Sequence, residues 1–327
     1  TFLLTQNNFK TMKAIEIKNT DGEIVHTFTS KNNSFSKTLK NYIQKKLQEN
    51  NTTTEKVELF NLDLSNQTIE RLFLETVDVI HFNFCTFNNT SIVSSTLKNI
   101  TFNQSSFNGV KMIKNNFYYC NFINCNFTIT FYDDYSFLEG NVFNHCRFFE
   151  CDFTDAIIRH NRHFYTSLNN TIFRNTSFTN NYFYDCTLLD NDFYSANFYN
   201  TEFRNSSLDG NLTNSQTLFF NLQCPEEGAF IGWKKCSNYI VKLQITADAK
   251  RTSATSHKCR ASKALVLDIQ KYNGEKAPIN SVASNYDPSF IYEVGKIVKV
   301  ENFNTNRWDE CSTGIHFFIN RENASYY

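Results

Sequence analysis

Proline and glycine are scarce in this chain of 327 residues: 3 prolines and 9 glycines exclude collagen-like sequences and proline-rich linkers. A net charge is also missing, because 32 Lys and Arg residues balance 32 Asp and Glu residues, whereas nucleic-acid binders usually carry a basic excess. No run approaches the roughly 18 apolar residues of a membrane-spanning helix. Residues 1–11 lack the basic and apolar stretches of a secretory signal. We therefore expect no membrane contact, no secretion and no direct nucleic-acid partner.

Aromatic residues, in contrast, make up 16% of the chain, which indicates a folded protein. Apolar residues recur at every fifth position from Phe82 to Phe127 and again from Phe143 to Leu208. Of these 24 centre positions, 23 are apolar, and His163 is the exception. The residue two before each centre is Cys, Ala, Ser or Thr at 16 positions and Asn at five more. The pattern therefore combines one large and one small residue on a period of five.

The five-residue frame is predicted to continue upstream of the first run and to slip by one residue between the two runs. The residues that carry this extension and slip are Leu62, Leu72 and Val77, with a gap at Gln67, and then Tyr132, Phe137 and residues 141–142. Counted in this way, the repeats form about seven coils of 20 residues each.

A period of five matches neither the 3.6 residues of a helical turn nor the two-residue alternation of a strand. A chain that turns a square corner every five residues, with one large and one small side chain pointing inward, satisfies it. Residues 151–155 (Cys-Asp-Phe-Thr-Asp) and 196–200 (Ala-Asn-Phe-Tyr-Asn) resemble the repeats of the pentapeptide-repeat family. The resemblance implies a right-handed quadrilateral β-helix.

Six of the ten cysteines fall on the small inward position, where we expect free thiols that fill the core. They are Cys85, Cys120, Cys125, Cys146, Cys151 and Cys186. Their five-residue spacing is that of the repeat and matches no zinc site.

The regions on either side of the repeats have other patterns. Upstream, a strand over residues 13–18, a turn and a return strand over residues 23–28 precede a helix capped by Ser34. Downstream, strands are predicted over residues 239–245, 264–269, 290–294, 297–300 and 314–319. We therefore predict a mainly β protein: a small N-terminal ββα cap at residues 1–55, a quadrilateral β-helix at 56–222 and a C-terminal β-rich domain at 223–327.

The C-terminal region resembles an uncharacterised domain that follows pentapeptide repeats in bacterial, phage and giant-virus proteins. Residues 230–236, 258–264 and 310–318 carry this resemblance. It implies a domain arrangement and a microbial or viral source, and it implies no activity.

Three residues of this region form the candidate site. Cys311 and His316 are candidates for a nucleophile and its base, which meet if the chain turns between them. Arg260 lies in a basic cluster that either holds an anion such as phosphate or is a solvated loop, the second being favoured. The cluster consists of Lys250, Arg251, Lys258, Arg260 and Lys263. In the simpler alternative, Cys311 belongs to the core and His316 is a hydrogen-bonded strand residue.

A zinc site formed by Cys236, Cys259, Cys311 and His316 is a further alternative, but the spacing matches no standard finger. We therefore predict no enzyme, no cofactor and no metal. The first functional hypothesis is a structural or protein-interaction module, cytoplasmic or within the capsid or tail of a virus or phage. Its expected partners are assembly subunits or further copies of the chain.

The second hypothesis is a DNA mimic that acts on a type II topoisomerase, which requires a dense acidic face. Residues 56–215 hold 10 basic and 16 acidic residues, and this net charge of −6 over seven coils is weak for that purpose. The third is an unassigned enzymatic or metal site in the C-terminal domain. Exposed aromatic residues such as Phe149, Tyr165 and Tyr184 are either a partner-binding stripe or ordinary surface aromatics.

Overall fold

A computed structural model describes residues 12–49, 56–128 and 136–327, except for the side chains of residues 76–78. The polar residues 50–54 predict a linker, and these residues, like residues 1–11 and the slip residue Tyr132, lie outside the described residues. The chain divides into two compact units: residues 1–196 with 205–216, and residues 197–204 with 217–327. The predicted boundaries at residues 55 and 222 stay predictions.

The first described elements form the predicted ββα cap. β1 (Met12–Asn19) and β2 (Ile24–Lys31) pair as an antiparallel hairpin, and α1 (Phe35–Glu49) follows them. Ser34 caps the helix as expected, because its Oγ accepts a hydrogen bond from the backbone N–H of Lys37 at 3.3 Å.

The cap joins the first coil of the repeats through backbone and side-chain contacts. Asn19 pairs with Leu62 in antiparallel register, and Ser36 Oγ accepts a hydrogen bond from the backbone N–H of Glu70 at 2.8 Å. Leu39 and Ile43 are buried on the inner side of α1. The cap therefore covers core side chains that the end of a solenoid exposes.

The repeats form a solenoid of about seven turns whose strands are mostly three residues long. They are β3 (Lys56–Phe60), β4 (Leu62–Asp63), β5 (Thr68–Glu70), β6 (Phe73–Asn83), β7 (Ser91–Val93), β8 (Thr96–Asn103), β9 (Lys111–Ile113), β10 (Asn116–Tyr118), β11 (Asn121–Ile123), β12 (Phe137–Glu139), β13 (Val142–Asn144), β14 (Arg147–Phe149), β15 (Ile157–Arg159), β16 (Arg162–Phe164), β17 (Ser167–Asn169), β18 (Ser177–Thr179), β19 (Tyr182–Tyr184) and β20 (Thr187–Leu189). Strands of successive coils pair in parallel.

Each centre residue stacks on the centre residue of the next coil. Phe102 pairs with Phe122, and their ring centroids lie 5.0 Å apart, while those of Phe87 and Phe107 lie 4.7 Å apart. Burial of a Phe side chain contributes roughly 1.5–3 kcal/mol, so these columns supply the core. The expected six inward cysteines are buried free thiols, and burial raises the pKa of Cys85 to about 12.

The upstream frame predicted from Leu62, Leu72 and Val77 is wrong by two residues. The centres there are Leu59, Leu64, Ile69 and Leu74, and Leu62 and Leu72 occupy the small inward position. The reason lies in β6, where Leu74 pairs with Leu97 but Ile80 pairs with Ile100. Three extra residues in that coil shift the frame. The side chain of Val77 lies outside the described part of the chain.

The second slip is also larger than predicted. Leu138, and not Phe137, is the centre, because Leu138 pairs with Met112 and Phe137 points outward under the guanidinium of Arg159. The two paired centres are 26 residues apart, so this coil holds six residues more than the usual 20. The register resumes at once, with Phe143 paired to Phe117 at the same offset.

Asparagine forms a buried ladder at the small inward position. Asn115, Asn141, Asn161 and Asn181 occupy one corner of consecutive coils. The backbone N–H of Asn141 donates to Oδ1 of Asn161 at 2.9 Å, while Nδ2 of Asn141 donates to the carbonyl of Met112 at 2.8 Å. Each side-chain amide thus satisfies one backbone N–H and one backbone carbonyl of the preceding coil, as a buried polar group must.

The C-terminal region is β-rich, as predicted. β21 (Glu202–Arg204) still lies within the repeat run, and the elements of the C-terminal region are β22 (Phe230–Cys236), β23 (Tyr239–Ile245), β24 (Arg251–Ser253), β25 (Lys258–Ala261), β26 (Lys263–Lys271), β27 (Ser281–Ala283), β28 (Ile291–Glu293), β29 (Ile297–Lys299), β30 (Ile315–Phe318) and α2 (Arg321–Tyr326). Seven strands form one antiparallel sheet in the order β24-β25-β30-β22-β23-β26-β29, and β27 pairs with β28. Neither helix of the described residues has the length and apolar character needed to cross a membrane.

His163 is the one polar centre of the two predicted runs, and it is buried in a column of phenyl rings. Its ring stacks on Phe143 at 4.9 Å and on Phe183 at 4.3 Å, and neither ring nitrogen has a hydrogen-bond partner among the described residues. Burial lowers the pKa of His163 from its usual 6.5 to about 3. The imidazole is therefore neutral in the folded protein at physiological pH.

We predict that His163→Phe stabilises the protein and reduces its sensitivity to acid. The unfolded chain binds a proton at this residue below about pH 6.5, whereas the folded chain does not until about pH 3, so wild-type stability falls as pH falls through that window. Between pH 7 and pH 5, wild type should lose about 2 kcal/mol of unfolding free energy because of this residue, and the variant should not. Urea unfolding at both pH values measures the difference. An equal acid-induced loss in both proteins would contradict the prediction.

Candidate functional site

Seven aromatic side chains point outward from one side of the solenoid and the corner that follows it. They come from four successive coils, at β10, β13, β16 and β19. This set, called the aromatic face below, consists of Tyr118, Tyr119, His145, Phe164, Tyr165, Tyr182 and Tyr184.

Six of the seven rings, all but Tyr118, are joined by a continuous set of ring contacts. Tyr119 stacks on His145 with centroids 5.0 Å apart, and His145 stacks on Tyr165 at 4.9 Å. Tyr184 meets Tyr165 edge to face at 6.3 Å. Tyr119 and Tyr165 are each 52% exposed, so the rings present edges and hydroxyl groups to solvent.

The corner of the aromatic face holds two tyrosines that its backbone does not favour. Tyr119, His145 and Tyr165 have φ values of 54°, 53° and 49°, in the left-handed region that favours Gly, Asn, Asp and His. The same corner of other coils carries Asn99 and Asp185. Backbone preference therefore does not explain the two exposed tyrosine rings at this corner.

Two of the three exposed aromatics named from the sequence belong to this face. Tyr165 and Tyr184 are in contact, whereas Phe149 lies on the neighbouring side, beneath the guanidinium of Arg147 at 4.6 Å. The spacing of aromatic residues in the sequence could have identified other members of the face. Tyr119, His145 and Tyr165 are one turn apart, but the six-residue insertion between the first two hides that spacing.

Acidic side chains form no dense row along the outward ladder that runs through Asp63, Asp152 and Asp192. Its other described positions are neutral: Thr86, Ser106, Asn126 and Ile172. Arg174 pairs with Asp192 at 2.6 Å, which reduces the negative charge further. This row offers little resemblance to the regular charges of duplex DNA.

In the C-terminal unit, Arg260 is buried and bonds the protein's own backbone. Its guanidinium donates to the carbonyl oxygens of Asn304 at 2.9 Å, Asn306 at 2.8 Å and Thr313 at 2.8 Å. Arg260 is 1% exposed. It therefore fixes the loop that precedes β30, and it does not line the cleft that holds the other two predicted site residues.

Cys311 and His316 both line one cleft of about 1110 Å³. Cys311 is exposed, and its Sγ accepts a hydrogen bond from Nζ of Lys258 at 3.3 Å. His316 Nε2 lies 2.8 Å from the carbonyl of Ser312, and burial lowers the pKa of His316. The structure thus places Cys311 beside a lysine, and the role of the three residues as a site stays a prediction.

The basic cluster between residues 250 and 263 is not the solvated loop that the sequence favours. β24 and β25 run through it, and Lys258 and Arg260 are buried. Arg251 donates to backbone carbonyls, among them that of Gly228 at 2.7 Å, and Lys258 lies 3.4 Å from Glu310. Backbone carbonyls and the carboxylates of Glu310 and Asp248 occupy four of the five charges, so these four form no open anion site.

The four residues of the zinc alternative lie in two environments. Cys236 and Cys259 are fully buried in the core of the C-terminal unit, whereas Cys311 and His316 face the cleft. Within the described residues, no three His, Cys, Asp or Glu side chains gather in a way that suits a metal ion.

The chain matches two known families. Residues 90–128 and 171–210 match Pentapeptide repeats (8 copies), and residues 220–324 match a family of unknown function, DUF5758. The chain therefore carries pentapeptide repeats, folded as a β-solenoid, followed by a DUF5758 domain. No curated protein matches the chain.

Several solved structures are similar in part. Full-length QnrB1, a plasmid-mediated fluoroquinolone resistance protein, is 12% identical over 49% of this chain and 94% of that chain, with a TM-score of 0.25. The pentapeptide repeat protein Rfr23 from the cyanobacterium Cyanothece 51142 is 12% identical over 54% and 97%, with a TM-score of 0.18. ORF18 of Geobacillus virus E2 is 10% identical over 76% and 77%, with a TM-score of 0.22. Likenesses of this size carry no argument about function.

We predict that Arg260→Met destabilises the C-terminal unit by about 3 kcal/mol, because three backbone carbonyls lose the charged donor that the buried Arg260 side chain supplies. Thermal unfolding measures the loss. Lys250→Met, which removes the same charge from an exposed side chain of the same cluster, should change stability by less than about 0.5 kcal/mol. If both variants unfold at the same temperature as wild type, Arg260 does not hold the loop that precedes β30. Its guanidinium would then be free to contact a ligand.

Proposed function

We propose that the chain is a non-enzymatic protein-interaction module that binds a partner protein on the aromatic face. The observation that carries the proposal is the row of exposed, stacked rings at left-handed corners. Residues that neither burial nor backbone preference selects are best explained by a contact outside the chain.

The chemistry of the face suits a protein partner. Tyrosine offers a large, rigid ring and a hydroxyl at small entropic cost, and it is enriched among the residues that dominate interface energies. The rings of Tyr119, His145 and Tyr165 cover one another, so they present edges and not open faces. Bases and sugars that stack on aromatic residues need open ring faces, which this ladder does not provide.

The interior of the solenoid supports a non-enzymatic role. Its inward positions are filled by Phe, Leu, Cys and Asn side chains that contact the next coil. Outward positions are therefore where the repeats meet other molecules.

We further propose that the partner is an assembly subunit, in the capsid or tail of a virus or phage. The C-terminal domain supports this finer step through its resemblance to domains of phage and giant-virus proteins. A second copy of the chain and a topoisomerase are the other partners that the experiment below separates.

We predict that the triple variant Tyr119→Asn, Tyr165→Asn and Tyr184→Asn loses its partner but keeps its fold. Asn is favoured at the two left-handed corners, and this gain offsets the lost ring contacts, so stability should stay within about 1 kcal/mol of wild type. In sedimentation of native source material, wild type should travel in stoichiometric amount with a large particle, tracked by mass spectrometry. The variant should remain near the top of the gradient.

Phe149→Asn is the matched control, because it removes an outward ring from the neighbouring side of the same coils. It should sediment like wild type. Equal sedimentation of the triple variant and wild type would overturn the aromatic face as the binding surface. If wild type does not travel with a large particle, the proposal of a capsid or tail partner is wrong. A supercoiling assay with DNA gyrase would then test the topoisomerase as partner.

A further inference from the structure

The cleft in the C-terminal unit opens where two neighbouring strands separate. β25 and β30 pair over four positions, from Lys258–Phe318 to Ala261–Ile315. β22 and β30 share one paired position, Trp233 with Phe318. Lys234 and Lys235, which follow Trp233 on β22, line the cleft, and so does His316, which precedes Phe318 on β30.

Lys234 lies at this separation with no carboxylate to neutralise it. Its Nζ donates to the carbonyl of His316 at 3.3 Å and lies 5.8 Å from the ring centroid of Tyr292. Among the described residues, no Asp or Glu comes within ion-pair distance of it. Burial and the nearby charge of Lys258 both lower the pKa of Lys234. An unpaired cation in partly buried surroundings is costly, and an anion would relieve that cost.

Two other lysines of the cleft already have acidic partners. Lys258 lies 3.4 Å from Glu310, and Lys299 lies 2.9 Å from Glu301. Lys235 lies above the ring of Tyr272, with Nζ 5.9 Å from the centroid. Lys234 and Lys235 are therefore the partly buried cleft lysines that no described carboxylate pairs with, and Lys234 is the one whose Nζ lies against His316 and Tyr292 of the cleft wall.

His316 can add a second polar contact. A backbone carbonyl only accepts hydrogen bonds, so the contact with Ser312 assigns the proton to Nε2 and leaves Nδ1 without one. An acidic group of a ligand could share its proton with this nitrogen.

Aromatic side chains form much of the remaining wall. Phe290, Tyr292 and Phe318 line the cleft together with the Cβ-free Gly314. Rings of this kind contact planar apolar groups well. Most of the other lining residues are polar, among them Ser284, Asn285 and Asn302, so these rings form an apolar patch inside a polar cleft.

We propose that this cleft binds a small ligand made of one carboxylate or phosphate group on a planar apolar body. The anionic group contacts Lys234, and the body packs against Phe290, Tyr292 and Phe318. This site is independent of the aromatic face, so it goes beyond the interaction function proposed above.

Calorimetric titration of the full chain with benzoate and with phenyl phosphate tests the proposal. At least one probe should bind, and benzyl alcohol, which lacks the charge, should bind at least about tenfold more weakly. The tighter of the two anions assigns the ligand to the carboxylate or to the phosphate class. Inorganic phosphate alone should bind more weakly than phenyl phosphate if the rings hold the body. Failure of both anions to bind overturns the proposal.

Lys234→Met should weaken the tighter probe by about tenfold or more while the protein stays folded, as thermal unfolding reports. Lys234→Gln, a polar replacement, provides the same test if the Met variant does not fold. Lys299→Met is the matched control, because it removes the same charge from the same cleft, and it should weaken binding less than about threefold. Equal losses in the Lys234 and Lys299 variants would indicate general attraction by charge and overturn the assignment of Lys234.

Discussion

Each coil of the solenoid is held by side chains that stack on the same position of the neighbouring coil. The ring centroids of Phe127 and Phe153 lie 4.3 Å apart, and those of Phe122 and Phe148 lie 4.7 Å apart. Parallel strand pairs join the same coils through the backbone, so side-chain stacking and backbone hydrogen bonds depend on one register. A coil that left this register would lose both kinds of contact at once. The five-residue period of the sequence follows from this need to keep inward side chains in register with those of the next coil.

The constraint acts on inward positions and leaves the length of a coil free. One coil holds three extra residues and another six, yet the centre residues on either side remain paired. The three extra residues lie within β6, where the register shifts between Glu75 and Ile80, so added length leaves the pairing on either side intact. The hydrogen bonds of the buried asparagine side chains depend on the same register. Asn161 donates to the carbonyl of Leu138 and accepts from the backbone of Asn141, so polar side chains also respect the register.

Spacing along the chain predicted the core well, and it failed where contacts depend on neighbouring coils or distant strands. Phe82 and Phe193 are buried as predicted, but Leu62 was assigned to the wrong inward position because β6 is longer than a repeat. To find the aromatic face from the sequence, one has to count in turns of 20 residues and allow for the six-residue insertion between Tyr119 and His145. The cleft depends on where β22 and β30 separate, and no local pattern records this. Arg260 resembles a solvated charge in sequence, whereas its partners are backbone carbonyls more than 40 residues away.

Both proposed binding surfaces occupy places where the chain departs from what its own folding favours. Tyr119 and Tyr165 hold exposed rings at backbone positions suited to Asn, and no carboxylate of the described residues pairs with the charge of Lys234. In each case a simpler residue would fold at least as well, because Asn occupies equivalent corners and an apolar side chain would pack beside Tyr292. Stability therefore does not account for these residues, which is why we propose that they contact other molecules. The two sites call for different partners, since stacked ring edges suit a protein surface and a lysine in an aromatic cleft suits a small anion.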